Sequence, residues 1–365
     1  MRIDSAFPGG NIIVDSVKGS RVELHQDLRD TQGNWFYWYF RVRGTEGKTV
    51  SFCFTRGDVL GSRGPAVSDD GGRNWRWLGK KAVSGNSFSY KFPSGAKDTR
   101  FSVGIPYLQR DLENFLKGAG GGIKKETLCT TRNGRKVELL VFGNNRAKNL
   151  VLLTCRHHAC EMAANYELEG IITETLSDST EGKWLRDNAV FLVLPFMDKD
   201  GVEDGDQGKN RKPHDHNRDY GKKSIHREVK SLKPLVKSLL KGKKLFALDL
   251  HCPYLKGGEY NENIYLVGKK PRRYWCQIKR FGNILEKIDF GSLQYSNRNN
   301  LPYGKSWNTS KRPRSFSWWT WRLPGALFAG SLEFPYANVG RRTVTPASAR
   351  KFGTRLARAI KRYLE

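Results

Sequence analysis

The stretch NLVLLTCRHHACEMAANYELEGIITETL, residues 149–176, decides how the chain folds. Its opening, NLVLLTC at 149–155, is a short apolar run of the kind that forms a strand buried on both faces. EMAANYELEGIITETL at 161–176 shifts to helical apolar spacing. Between them lies RHHACE, a polar link set where a strand ends and a helix begins. Working outward, KVELLVFG at 136–143, AVFLVLPF at 189–196, KLFALDLH at 244–251 and AGSLEF at 329–334 read as further strands. DLENFLKG at 111–118, REVKSLKPLVKSLL at 227–240, YWCQIKRFGNILEKI at 274–288 and PASARKFGTRLARAIKRYL at 346–364 read as helices, the second with a proline inside its pattern. Apolar strands alternating with helices predict a mixed, largely parallel α/β/α domain.

The earlier part reads differently. WFYWYFRV at 35–42 and KTVSFCFT at 48–55 are strand-like, and glycine- and aspartate-rich turns such as SDDGGRNWRW at 68–77 surround them. The expected division is an antiparallel β-sandwich over 1–105 and the α/β domain over 106–365. No titratable cluster in the first unit looks catalytic, so docking or substrate recognition is its expected role.

Lys and Arg number 64 against 36 Asp and Glu, a net charge of +28 that would draw polyanions or acidic peptides. No zinc-finger spacing or RNA-binding signature accompanies it, so nucleic acid is not the expected partner. No apolar run nears the roughly twenty residues that cross a membrane. Residues 1–16, MRIDSAFPGGNIIVDS, lack the apolar core of a secretory signal, and the six cysteines show no C-x-x-C pairing. Reduced thiols and a cytoplasmic location are expected.

Adjacent side chains diverge, so at most one of His157 and His158 faces a given site. Metal ligands in α/β proteins gather where strands end. His158 and Glu161 follow the strand at 149–155, His251 ends the strand at 244–251, and together they make the His2Glu set of a catalytic zinc with an open position. Glu333 ends another strand and could act as the base toward water at such a metal. Asp249 could orient a ligand. In GKNRKPHDHNRDY at 208–220, Arg211 and Arg218 offer planar forks for carboxylates or polarised carbonyls, and Asn217 could assist. His214 and His216 are expected to hydrogen-bond within their loop.

These residues resemble the zinc carboxypeptidases of the funnelin type, most closely the cytosolic branch that includes the tubulin-deglutamylating enzymes. The resemblance rests on R-x-H-x-x-E at Arg156, His158 and Glu161, and on PFMDKDGV at 195–202, with Asp198 where asparagine is usual. It extends to the pair Asn217–Arg218, to D-L-H at 249–251 and to EFPYA at 333–337. FPGGNI, DLRDTQGNWFYWYFRV and RGDVLGSRGP fit the β-sandwich that precedes the catalytic domain in that branch.

The resemblance implies one Zn2+ per chain held by His158 rather than His157, with Glu161 and His251. It makes Glu333 the general base and gives Arg211 the developing oxyanion. Asn217 and Arg218 would grip the terminal carboxylate of a peptide or protein. Tyr336 and Tyr295 are candidates for a substrate-covering tyrosine. The basic balance suggests acidic residues, glutamate above all, with Arg312, Arg314 and Arg322 as possible contacts. Two other readings are an amidase or deacylase acting on cell-wall γ-D-glutamyl peptides or N-acyl amino acids, and a non-catalytic basic protein that binds polyanions.

Overall fold

The computed structural model describes residues 1–365 except 289, 290 and 312. Its centre is a seven-stranded sheet in the order Lys124–Thr130, Lys136–Gly143, Ala189–Leu194, Asn149–Cys155, Lys244–His251, Ala326–Glu333, Tyr265–Leu266. The four strands from Ala189–Leu194 to Ala326–Glu333 run parallel, and the outer pairings are antiparallel. Parallel pairing is thus confined to the middle of the sheet. The strand at 124–130, partly exposed and polar, gives no apolar run and escapes a reading based on hydrophobicity.

Side chains alternate across the sheet as the pleat requires. Val151, Leu153, Phe246 and Leu248 enter one core, beneath helices Ala163–Leu176, Arg272–Glu286 and Pro346–Leu364. Leu150, Leu152, Leu245 and Ala247 enter the other, with Val229, Leu232 and Val236 from helix Arg227–Leu239. The first and last helices of the former layer touch backbone to backbone. A Cβ on Gly170 would lie 2.0 Å from the Arg350 carbonyl oxygen, and one on Gly353 would lie 2.0 Å from that of Glu167. Only glycine permits that approach.

Strands between Arg2 and Ser102 form two five-stranded sheets. Phe40 and Phe101 of one meet Phe52 and Phe88 of the other at ring separations of 5.2–5.4 Å, so the sheets face each other across an aromatic core. The pairing is not wholly antiparallel: Arg21–His25 runs parallel to Thr49–Phe54. The expected strand at 35–42 is also displaced, to Tyr39–Arg43. Residues 35–38 leave the ladder because the Tyr37 backbone exchanges hydrogen bonds with the Gln207 side chain, N–H to Oε1 at 2.8 Å and Nε2 to the carbonyl at 2.8 Å. No helix among the described residues is long and apolar enough to cross a membrane. All six cysteines are free thiols.

Candidate metal centre and substrate cavity

The sheet sets His251 directly opposite Glu333, since the two end neighbouring parallel strands in register. His158 and Glu161 arrive from the next strand through a tight loop. The Glu161 N–H bonds the His158 carbonyl at 3.3 Å, and the helix begins only at Ala163, two residues later than its apolar spacing suggests. That delay turns the Glu161 carboxylate back toward His158.

Arg156 locks the loop. It is fully buried with a φ of 59°, a left-handed conformation that costs a non-glycine residue energy and needs compensation. Its guanidinium donates to the carbonyls of Ala159 and Tyr107 and to Asn165 Oδ1, each at 2.9 Å. The neighbouring loop then packs on it. The Cys160 N–H donates to the Gln207 carbonyl at 3.1 Å, and Gly208 (φ 74°) lies so close that a Cβ would be 2.1 Å from the Ala159 nitrogen.

The result is a convergent donor set. His158 Nδ1 is 3.0 Å from Glu161 Oε1 and His251 Nδ1 is 2.7 Å from Glu161 Oε2; a ligand atom from each residue lies within 4.8 Å of the others. Each imidazole turns its other nitrogen to a carboxylate: His251 Nε2 to Asp249 Oδ2 at 2.6 Å, His158 Nε2 to Asp215 Oδ1 at 3.7 Å. Carboxylates behind metal-binding histidines fix ring orientation and tautomer in this way. His157 faces elsewhere, with Nδ1 to Asp249 Oδ1 and Nε2 to the Tyr220 hydroxyl, both at 2.7 Å. Asp249 thus holds both His157 and His251. Two Nδ1 atoms meeting separate oxygens of one buried carboxylate, in a His2Glu set, fit a zinc ion. A buried Glu333 oxygen, Oε2, has no hydrogen-bond partner beside them, as a base awaiting a substrate or water would. Burial pushes the Glu333 carboxyl up, against the pull of His251, and Glu161 adds to the rise.

A cavity of about 360 Å³ opens over this centre. His158, Asp215, Asn217, Arg218, His251 and Glu333 line it, as do Lys209, Lys269 and Arg314. Asn217 is held by its Oδ1, which accepts from the Phe316 N–H at 2.9 Å, with Nδ2 3.1 Å from His251 Nε2. Arg218 donates only to the Asn217 carbonyl at 3.2 Å, and among the described residues no carboxylate pairs with it. Its fork is free for an incoming anion.

Arg211 is placed differently from its sequence-based expectation. It does not line the cavity; Asp30, Asp198 and Asp206 surround its guanidinium at 3.0, 2.6 and 2.7 Å. This also accounts for aspartate at 198. Lys209 lines the cavity instead, its Nζ 2.6 Å from Glu161 Oε1 and 4.8 Å from the Trp35 ring centroid. Neither tyrosine candidate lines the cavity: Tyr336 donates to the Cys160 carbonyl at 3.1 Å and Tyr295 to Asn300 Oδ1 at 2.8 Å, both buried. Tyr254, Trp307 and Trp35 line its mouth. Arg314 lines the cavity, Arg322 caps a helix away from it, and Arg312 lies outside the described residues. Sequence reading missed Lys209, Lys269 and Asp215. Only Asp215, two residues before Asn217 in a dense polar motif, carried a usable signal.

A family model for zinc carboxypeptidases matches residues 112–243, which include His158, Glu161, Asn217 and Arg218. Over those residues the chain is similar to the zinc carboxypeptidases. Cytosolic carboxypeptidase 2 of Homo sapiens is 26% identical over 347 residues, covering 80% of this chain and 37% of that protein. A Zymomonas mobilis protein is 26% identical over 281 residues, with 73% and 70% covered. The chain thus spans well under half the length of the human relative. Metallo-carboxypeptidases from Pseudomonas aeruginosa and Burkholderia cenocepacia share the fold. Both superpose with TM-scores of 0.79, at 20% and 17% identity. Coverage is 100% of both chains for the first, and 99% of this chain and 98% of that one for the second.

Proposed function

We propose that the chain is a metallocarboxypeptidase that removes C-terminal residues, preferably acidic ones, from peptides or proteins. The observation that carries the reading is one cavity joining a His2Glu donor set, an unpartnered buried carboxylate and a free arginine fork. His158, Glu161 and His251 would hold a zinc ion, which supplies Lewis acidity toward water and the scissile carbonyl when bound. Arg218 and Asn217 bind the terminal carboxylate, which selects chain ends. Glu333 accepts the proton of the attacking water and delivers it to the leaving amine. Lys209, rather than Arg211, offers its ammonium to the oxygen on which negative charge develops. Lys269 and Arg314 meet an acidic side chain. Trp35 brings the two-sheet unit, residues 1–105, into the wall of a cavity that the remainder, 106–365, otherwise builds.

The test is mass spectrometry of a peptide panel differing only in the last residue, incubated with zinc-loaded protein and with Glu333→Gln. Loss of single C-terminal residues by the wild type alone supports the reading, and faster loss of glutamate than leucine supports the acidic preference. With zinc bound, an uncleaved panel would sink it and favour acylated amino acids or cell-wall peptides as substrates.

A further inference from the structure

A second group of histidines stands beside the first. His216 belongs to the short turn His216–Arg218 that carries Asn217 and Arg218; His226 and Glu228 open the helix Arg227–Leu239. Their rings and carboxylate converge: one ligand atom from each of His216, His226 and Glu228 lies within 4.8 Å of the others. His216 and His226 stack at 3.7 Å between centroids, and His216 Nε2 is 3.4 Å from Glu228 Oε2.

Such a cluster needs a reason. Two imidazoles in face contact cannot both carry a proton cheaply. His216 is 4% exposed; its Nε2 faces Glu228, while its Nδ1 faces Asp198 Oδ1 at 3.8 Å. Glu228 is buried as well, whereas His226 is only partly so and leaves a route from solvent. His226 uses Nε2 on the His214 carbonyl at 3.0 Å, which leaves Nδ1 to face a ligand. The start of a helix disfavours a cation by about half a charge. The full charges of Glu228 and the adjacent Asp219 offset that.

We propose that His216, His226 and Glu228 form a second site for a divalent ion of the zinc class, separate from the site in the cavity. The donor set, two imidazoles and one carboxylate, suits Zn2+ or Co2+ and not Mg2+ or Ca2+, which prefer oxygen donors. An ion there ties the turn bearing Asn217 and Arg218 to the helix at 227–239, holding both carboxylate-binding residues in place.

Zinc content of the full chain, measured by inductively coupled plasma mass spectrometry after dialysis against buffered zinc, tests this. About two ions per wild-type chain are expected, falling to about one in His226→Ala and, as an isosteric control, in Glu228→Gln. His158→Ala should lose a different ion, so that combining it with Glu228→Gln empties the protein. Circular dichroism identifies any variant that fails to fold, and for such a variant Co2+ titration of the wild type decides. Two saturable absorption steps support the site, and one step overturns it. One zinc per wild-type chain, lost only with His158→Ala, also overturns the second site while leaving the first intact. One zinc lost only with Glu228→Gln would keep the second site and remove the basis for the proposed hydrolysis.

Discussion

The floor of the cavity and its outer wall hold functional groups in place by different means. On the floor, His251 and Glu333 sit at adjacent strand ends, and His158 and Glu161 follow a third strand through a loop that Arg156 clamps. The hydrogen-bonded ladder sets these positions. The wall comes from loops: Lys209, Asp215, Asn217 and Arg218 between residues 205 and 219, Lys269 after Tyr265–Leu266, and Arg314 before Phe316–Trp321. Its shape depends on contacts made far away. Asp30, from the two-sheet unit, accepts from the N–H groups of Gln207 and Gly208 at 3.0 and 2.8 Å and pairs with Arg211. The proposed chemistry is thus built on the sheet, and the groups proposed to grade one substrate against another hang from loops.

The sharpest break in the comparison is at the floor. Glu333→Gln keeps the shape and the ladder but removes the base, and kcat should fall by roughly 10²–10⁴-fold with the thermal midpoint nearly unchanged. Steady-state kinetics beside a melting curve checks this. A variant with kcat within a few-fold of wild type would move the proton transfer elsewhere.

Within the wall, Lys209 and Arg211 separate chemistry from support. Lys209→Met should lower kcat by roughly 10²–10³-fold, the usual loss when a donor to a developing oxyanion is removed. Arg211→Met should act on stability instead. It leaves Asp30, Asp198 and Asp206 facing one another with little solvent, and breaking such a cluster costs about 3 kcal/mol or more. Denaturant unfolding reads that loss. If Arg211→Met kept its stability and lost kcat as Lys209→Met does, the two assignments would be exchanged.

The same division explains what could be read in advance. Strands at 136–143, 149–155 and 244–251 and the helix at 346–364 matched their predicted ranges because elements that bury one or both faces must show it in the pattern of their apolar residues. Candidates at their ends, His158, Glu161, His251 and Glu333, were legible for the same reason. Lys209 was not, since a lysine in a polar loop looks like any of the chain's many basic residues. What singles it out is Gly208 pressed on Ala159 and a Trp35 ring from a distant segment. Lys269 follows IYLV at 264–267, an apolar run too short to stand out in sequence, of which Tyr265–Leu266 pair as an edge strand. His226 lies ten residues from His216, a spacing with no regular element to bring the rings together until the loop is folded.

The smallest expected effect concerns Lys269, and it sharpens the role of the wall in choosing substrates. Burial, with Arg218 adding repulsion and Asp249 and Glu333 opposing both, lowers this ammonium to about 8. The group is charged below that pH and neutral above it, whereas a glutamate side chain on the substrate stays ionised throughout. A preference for glutamate over leucine that depends on Lys269 should therefore be full near pH 7 and fall as pH rises through about 8. A hydrogen bond to a charged group supports roughly a tenfold ratio in kcat/KM. Taking the ratio of two substrates cancels titrations that affect both, including any at Glu333. Lys269→Met should show a ratio about tenfold lower that stays flat with pH. A wild-type ratio that did not change between pH 7 and 9.5 would assign the preference to Arg314, whose charge persists across that range.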